Sequence, residues 1–100
     1  MAKVIWSPRA LRNFESILAH IRSDSPSAAR RFGQQVLARV RQIETAPYMG
    51  GYVLEDETRT YREVLFGNYR VIYRCEPDGT VAYIVAVRHA AQLLDPGMLG

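Results

Sequence analysis

Cysteine is nearly absent from this sequence: Cys75 is the only one in a chain of 100 residues. A single thiol cannot form an intrachain disulfide, so nothing argues for an oxidising compartment, and we interpret Cys75 as a small apolar strand residue. Long apolar runs are also absent. No stretch reaches the ~18 apolar residues of a membrane span, and the start MAKVIWSPRA has no apolar run after its lysine. We therefore expect a cytoplasmic protein without membrane contact.

The motifs of several enzyme classes are missing as well. The sequence has no Gly-rich phosphate loop, no ligand spacing typical of a metal site, and no serine or cysteine nucleophile motif. We expect neither a metal nor a cofactor.

Lysine is scarce, whereas arginine is abundant. Only Lys3 is a lysine among 13 basic residues, which stand against 10 acidic ones and give a formal net charge of +3. The guanidinium group pairs in a bidentate manner with carboxylate or phosphate, so an acidic protein partner and a nucleic acid both fit. The alternative is that an arginine-rich genome decorates a solvated surface.

The length and composition of the sequence are those of one globular domain, so we assign residues 1–100 to a single domain. Residues 4–6 are predicted to form a strand, and Ser7-Pro8 begins a helix whose apolar residues recur at spacings of three and four up to Ile21. Ser25-Pro26 repeats the signal, and a second helix continues to Ala46-Pro47. The short break between them predicts an antiparallel helix hairpin.

The last third of the chain changes to β-branched and aromatic runs. Strands are predicted at 61–66, 69–75 and 81–87, separated by Gly67-Asn68 and by a second turn at 77–79. Between the helices and these strands we expect a loop, with a weak edge strand near Tyr52. The predicted fold is α+β: an N-terminal strand, then the helix hairpin packed on one face of a C-terminal antiparallel β-meander.

The Gly67-Asn68 turn fixes which residues of the first two meander strands share a face. A two-residue type II′ turn pairs Phe66 with Tyr69, so that Val64 and Val71 face the core. The opposite surface then carries charged and apolar side chains together and is predicted to bind a partner: Tyr61, Glu63, Leu65, Arg70, Ile72 and Arg74. The alternative is that Arg70 and Arg74 pair with Glu63 or with the acidic loop 55–57 and only solubilise this face.

Other candidate binding residues lie outside this strand pair. Arg30 and Arg31 fall on the polar side of the second helix, and Arg88 with His89 ends the last strand. A lone histidine in such a place is more often a hydrogen-bonded structural residue than a catalyst.

Four segments carry a resemblance that spans residues 6–94. They read W-S-P-x-A, S-P-x-A-A-x-x-F, YREVLFGNYRVIYR and V-A-V-R-H, and together they resemble the ParE/RelE superfamily of type II toxins. The resemblance implies the fold predicted above, and an acidic, ParD-like antitoxin whose C-terminal segment wraps the helix pair and sheet in a hetero-oligomer.

The resemblance implies two different targets. RelE-like members cut mRNA on the ribosome with several cations and a late tyrosine or arginine, whereas ParE-like members poison DNA gyrase and have no known hydrolytic chemistry of their own. Arg70 matches the arginine of the G-x-Y-R strand, but Glu63 and Leu65 stand where RelE-like members carry basic residues. The tail AAQLLDPGMLG after His89 has no Tyr, Lys or Arg.

A second nuclease arrangement in the superfamily uses a glutamate base, an arginine on the phosphate and a histidine acid. Glu63, Arg70 and His89 supply these residue types, although Ala90 stands where that variant tends to have a tyrosine. We therefore favour a gyrase poison that is not an enzyme. The alternatives are a ribosome-dependent mRNA endonuclease and a non-toxic homologue that only binds its antitoxin.

Overall fold

A computed structural model describes residues 1–95, 97 and 99 of the chain. It contains two helices and five strands, in the order β1 (Lys3–Trp6), α1 (Pro8–Asp24), α2 (Pro26–Thr45), β2 (Gly51–Tyr52), β3 (Arg62–Phe66), β4 (Tyr69–Cys75) and β5 (Val81–His89). The predicted α+β class and the helix hairpin are confirmed.

The strands form one mixed sheet in the order β1-β5-β4-β3-β2. The predicted meander β3-β4-β5 is antiparallel, and β1 runs parallel to β5 with Lys3 opposite Val81. The predicted register of the first hairpin is confirmed, because Phe66 pairs with Tyr69 and Val64 with Val71. Gly67 has a φ of +53° at the first turn position, a conformation that glycine adopts without a steric penalty.

Two serines set the helix boundaries. The Ser7 hydroxyl accepts a hydrogen bond from the Ala10 amide at 3.0 Å, and Pro8 occupies the first helical turn of α1. Ser25 both ends α1, by donating its amide to the Ile21 carbonyl, and caps α2, by accepting from the Ala28 amide at 3.2 Å. One residue therefore joins the helices and forces them to be antiparallel. Neither helix is long and apolar enough to cross a membrane, over the residues that the structure describes.

The main core lies between the helix hairpin and one face of the sheet. Val36, Ile43, Val71 and Tyr73 are fully buried there. A row of neighbouring rings crosses this layer, with centroid separations of 4.9 to 6.1 Å: Trp6, Phe14, Phe32, Phe66, Tyr69 and His89. These contacts fix α1 and α2 against the strand ends.

A second, smaller core covers the opposite face of the sheet. Its buried members come from β4 and β5, from the loop before β3 and from the C-terminal segment: Val53, Tyr61, Ile72, Val85, Ala86, Leu94 and Leu99. The prediction that the surface opposite the helices is open to a partner is wrong over this area. The reason is that β5 presents apolar residues on both faces, which need cover on both sides.

Candidate functional site

Arg70 lies at the centre of a charged cluster on the second face of the sheet. Its guanidinium donates to Glu55 at 2.7 and 3.2 Å, to Glu63 at 3.0 Å and to the Gln92 carbonyl at 2.6 Å. The residue is only 5% exposed. Both carboxylates are within ion-pair distance, so the charge of Arg70 is matched inside the protein.

The cluster shifts the ionisation of its members. The hydrogen bonds from Arg70 lower the pKa of Glu55 to about 2, helped by the Leu94 amide at 3.0 Å and opposed by burial, which has the second-largest effect. The bonds that Arg70 donates to Glu55 and Glu63 raise its own pKa. Glu55 and Arg70 are thus both charged at neutral pH.

Asp56 shapes the loop that delivers Glu55 to Arg70. Its carboxylate accepts from the hydroxyl and amide of Thr58 and from the amides of Thr60 and Tyr61, which lowers its pKa, Thr58 having the largest effect. Sequence reasoning missed this residue. The available signal was an aspartate two residues before a threonine, a pattern typical of turns in which the side chain bonds its own backbone.

The expected open binding surface of the β3–β4 hairpin is therefore mostly closed. Arg70, Tyr61 and Ile72 are buried, which corrects our prediction that they are presented to a partner. The alternative pairing of Arg70 with Glu63 and the acidic loop is the one observed. Leu65 remains 57% exposed, and the guanidinium of Arg74 stacks on the Tyr83 ring at 4.3 Å while its side chain stays 41% exposed.

His89 lies on the other side of the sheet from Arg70. It pairs with Tyr69, whereas Arg70 pairs with Arg88, and neighbouring residues of a strand point to opposite faces. Its ring packs edge-on against Tyr69 at 5.4 Å. Glu63 and Arg70 are in contact, but the three residues of the predicted nuclease set do not converge on one face.

A groove of about 510 Å³ opens beside His89, between α1 and the ends of β4 and β5. Its polar lining includes Asn13, Ser16, His20, Arg88, His89 and Gln92. The predicted candidates Arg88 and His89, neighbours in the chain, both line this groove. Arg30 and Arg31 lie exposed on α2.

Arg62 forms a further arginine site, which was not predicted from the sequence. Its guanidinium lies 4.4 Å from the Tyr52 ring and 5.3 Å from the Tyr48 ring, and it donates to the Gly50 carbonyl at 2.8 Å. These contacts tie the short strand β2 to β3.

Comparison with known proteins places these features in a family. The family model described as the ParE toxin of the type II toxin-antitoxin system parDE matches residues 4–94. The protein named Toxin RelE2 from Caulobacter vibrioides is 34% identical over 93 residues, which cover 93% of this chain and all of that protein.

Solved structures share the fold at lower identity. The chromosomal ParDE system from P. aeruginosa aligns with a TM-score of 0.70 at 16% identity, covering 89% of this chain and 96% of the other. The RelBE2 toxin-antitoxin complex from Mycobacterium tuberculosis aligns with a TM-score of 0.56 at 22% identity, covering 88% of this chain and 96% of the other. The isolated RelE toxin of E. coli aligns with a TM-score of 0.60 at 12% identity, covering 93% of this chain and 88% of the other.

Proposed function

This chain belongs to the ParE/RelE superfamily of type II toxins, and we propose that it arrests growth by poisoning DNA gyrase without hydrolytic chemistry of its own. A toxin that works by occupying its target needs a complementary surface but no group that moves protons at a scissile bond. The proposal therefore depends on how well the chain could support phosphodiester cleavage.

The proposal rests on the hydrogen-bond partners of the Arg70 guanidinium. A nuclease of this superfamily would need this arginine on the scissile phosphate, as its resemblance implies, but here two carboxylates and a carbonyl already occupy the guanidinium. A phosphate would have to displace Glu55 and approach Glu63, and both carboxylates repel it. This arrangement disfavours phosphate binding at Arg70.

The partner that we propose is a cognate antitoxin in a hetero-oligomer. Two structural neighbours were solved as toxin-antitoxin systems, one with ParD and one with RelB, and this chain shares their fold. Exposed arginines such as Arg30, Arg31 and Arg74 suit an acidic partner segment.

The test is a supercoiling assay with purified gyrase and refolded full-length toxin. We expect inhibition of supercoiling or trapped cleaved DNA, and expression without antitoxin should induce the DNA-damage response. Normal supercoiling at a large molar excess of folded toxin would contradict the proposal.

One observation favours the second candidate, a ribosome-dependent mRNA endonuclease: the relative at 34% identity carries the name RelE2. This function predicts new 5′ ends within codons by primer extension on translated mRNA. Cleavage should be lost in His89→Ala and kept in Cys75→Ser, a control distant from the groove. If neither the gyrase assay nor primer extension responds, the third alternative, a non-toxic antitoxin-binding homologue, is favoured.

A further inference from the structure

A second groove, the arginine groove, lies where the start of α1 meets β4 and β5, and has a volume of about 320 Å³. Arg9 and Arg12 line its helix side, and Arg74 lines its strand side. Arg9 and Arg12 are three residues apart in α1, so their side chains leave the same face of the helix with Cβ atoms about 5–6 Å apart. Over residues 1–95, 97 and 99, no Asp or Glu lines the groove. Two distant chain segments thus place three cations around one concave surface.

The guanidinium groups of Arg9 and Arg12 are available to a ligand. Both residues are exposed, and neither donates a side-chain hydrogen bond or forms an ion pair within the part of the chain that the structure describes. Arg74 pairs with Glu76 at 3.9 Å, and its side chain is 41% exposed. A long, exposed pair of this kind contributes little and yields readily to a stronger anion.

The position of Arg9 costs stability rather than adding to it. The amino end of a helix carries a partial positive charge, so a cation there is unfavourable, and the first turn of α1 holds no acidic residue to offset it. The three guanidinium groups also repel one another across the groove. A bound polyanion would remove both penalties, and local penalties of this kind are expected at functional sites.

The arginine groove fits the phosphates of a nucleic acid better than its bases. Guanidinium groups bind phosphate oxygens in a bidentate manner, and three of them can contact more than one phosphate. Tyr83 lines the groove, but its ring packs against the second core and stacks with Arg74 at 4.3 Å. A single strand needs open aromatic faces on which its bases stack, whereas a duplex presents its backbone outwards. The groove therefore favours a duplex.

We propose that Arg9, Arg12 and Arg74 bind the phosphate backbone of duplex DNA, independently of its sequence. This inference goes beyond the proposed function and rests on it only for the source of the DNA, because gyrase acts on duplex DNA. The toxin would then contact the DNA as well as the enzyme that holds it. Because Arg74 also suits an acidic antitoxin segment, antitoxin and DNA would compete for this residue.

Fluorescence anisotropy of a short labelled DNA duplex, titrated with the full-length toxin, tests the proposal. Arg9→Gln, Arg12→Gln and Arg74→Gln each remove one cation of the groove and keep a polar side chain. Arg22→Gln is the matched control, because Arg22 is an exposed arginine of the same helix. It lies about 20 Å from Arg9 along the helix axis, at a rise of about 1.5 Å per residue.

We expect each groove variant to bind the duplex about tenfold more weakly at low salt, because a charge-assisted bond to phosphate is lost. For three phosphate contacts, the logarithm of the affinity should fall with the logarithm of the salt concentration with a slope of about −2.7, and each groove variant should reduce its magnitude by about 0.9. Arg22→Gln should keep the slope and an affinity within about twofold of the unmodified toxin. Two duplexes of different sequence should bind equally.

The unmodified toxin provides a readout that does not depend on the variants folding. Addition of the duplex should shift the Nε–Hε resonances of Arg9, Arg12 and Arg74 in an NMR titration. The resonance of Arg22 should stay unmoved.

The proposal is overturned if the three groove resonances do not move, if Arg22→Gln weakens binding as much as Arg9→Gln does, or if folded groove variants keep the original salt slope. Tighter binding of single-stranded DNA or of duplex RNA would overturn the assignment to duplex DNA. Tighter binding of polyglutamate would assign the groove to an acidic protein instead. The assay contains no gyrase, so this proposal and the gyrase proposal fail separately.

Discussion

The Arg70 cluster makes substitutions of this arginine destabilising. Replacing Arg70 by Ala leaves Glu55 and Glu63 facing each other with side chains only 19% and 16% exposed. Breaking a buried ion pair from one side costs about 3 kcal/mol, because the remaining charges lose their partner. We expect Arg70→Ala to lower the free energy of unfolding by about that amount in a urea titration.

Arg74→Ala is the matched control for Arg70→Ala. Arg74 lies on the same strand and face, but its ion pair with Glu76 is 3.9 Å long and its side chain is 41% exposed. Exposed pairs contribute below about 1 kcal/mol, so this variant should remain nearly as stable as the unmodified protein. Equal losses in both variants would contradict a structural role for the Arg70 cluster.

The cluster also predicts how stability depends on pH. The folded pKa of Glu55 is about 2, below its ordinary value of 4.5, so Glu55 contributes stability above pH 4.5 that is lost as the pH falls towards 2. Glu55→Gln removes this titration. The unmodified protein should have a larger free energy of unfolding than Glu55→Gln at pH 4.5, and we expect this difference to shrink as the pH falls to 2. A difference that is constant over this range would show that Glu55 is not coupled to Arg70.

At this scale, sequence reasoning found the residues but not their environment. The alternation of β3 and β4 placed Glu63 and Arg70 on one face correctly. It could not show that Glu55 reaches Arg70, because a loop without periodicity gives no register. The sequence alone therefore leaves two roles for Arg70, surface binding or pairing with a carboxylate, and the position of the loop decides for pairing.

At the scale of the element, β2 depends on a close approach at Gly50. A Cβ atom at this position would lie 2.7 Å from both the Glu63 carbonyl oxygen and the Tyr73 hydroxyl, to which the Gly50 amide donates. Gly50→Ala must push β2 away from a fully buried tyrosine, a strain of about 1–3 kcal/mol. Thermal unfolding should detect the loss.

The neighbouring glycine supplies the control for Gly50→Ala. A Cβ at Gly51 would meet nothing within 4 Å, so Gly51→Ala should change stability by no more than about 0.5 kcal/mol. An equal effect of the two substitutions would mean that the contact with Tyr73 is not what limits the position.

Predictability differed among the elements for physical reasons. Capping serines and a two-residue turn are local signals, and the helix hairpin and the β3–β4 register followed from them correctly. The place of β1 beside β5 did not follow, because a strand of four residues carries no information about its partner. The register shift between Ile72 and Tyr73, where Val85 of β5 has no partner in β4, likewise has no mark in the sequence.

At the scale of the whole molecule, the C-terminal segment acts as part of the core. Leu94 is 8% exposed and packs in the second core, whereas its neighbour Leu93 is 86% exposed. We expect Leu94→Ala to destabilise the protein by about 2–4 kcal/mol through lost burial and a cavity, and Leu93→Ala to be neutral within about 0.5 kcal/mol, both by urea titration. Similar effects of the two would contradict the second core.

The signal for this second core was present in the sequence. The run VAYIVAV of β5 is apolar at nearly every position, which is typical of a strand buried on both faces rather than of one with a solvated side. Reading it that way would have predicted a cover for the second face, supplied by the leucines of the tail.

The parallel pairing of β1 with β5 sets the order in which the molecule can be completed. β1 is synthesised first and its partner last, so β1 cannot complete its pairing until residue 84 has been added. At 5–20 residues per second, the ribosome needs about two to eight seconds to pass from Thr45 to Ile84. During that interval the helix hairpin has only an incomplete sheet over its apolar stripe, and we expect the nascent chain to be most prone to aggregation and most accessible to chaperones then.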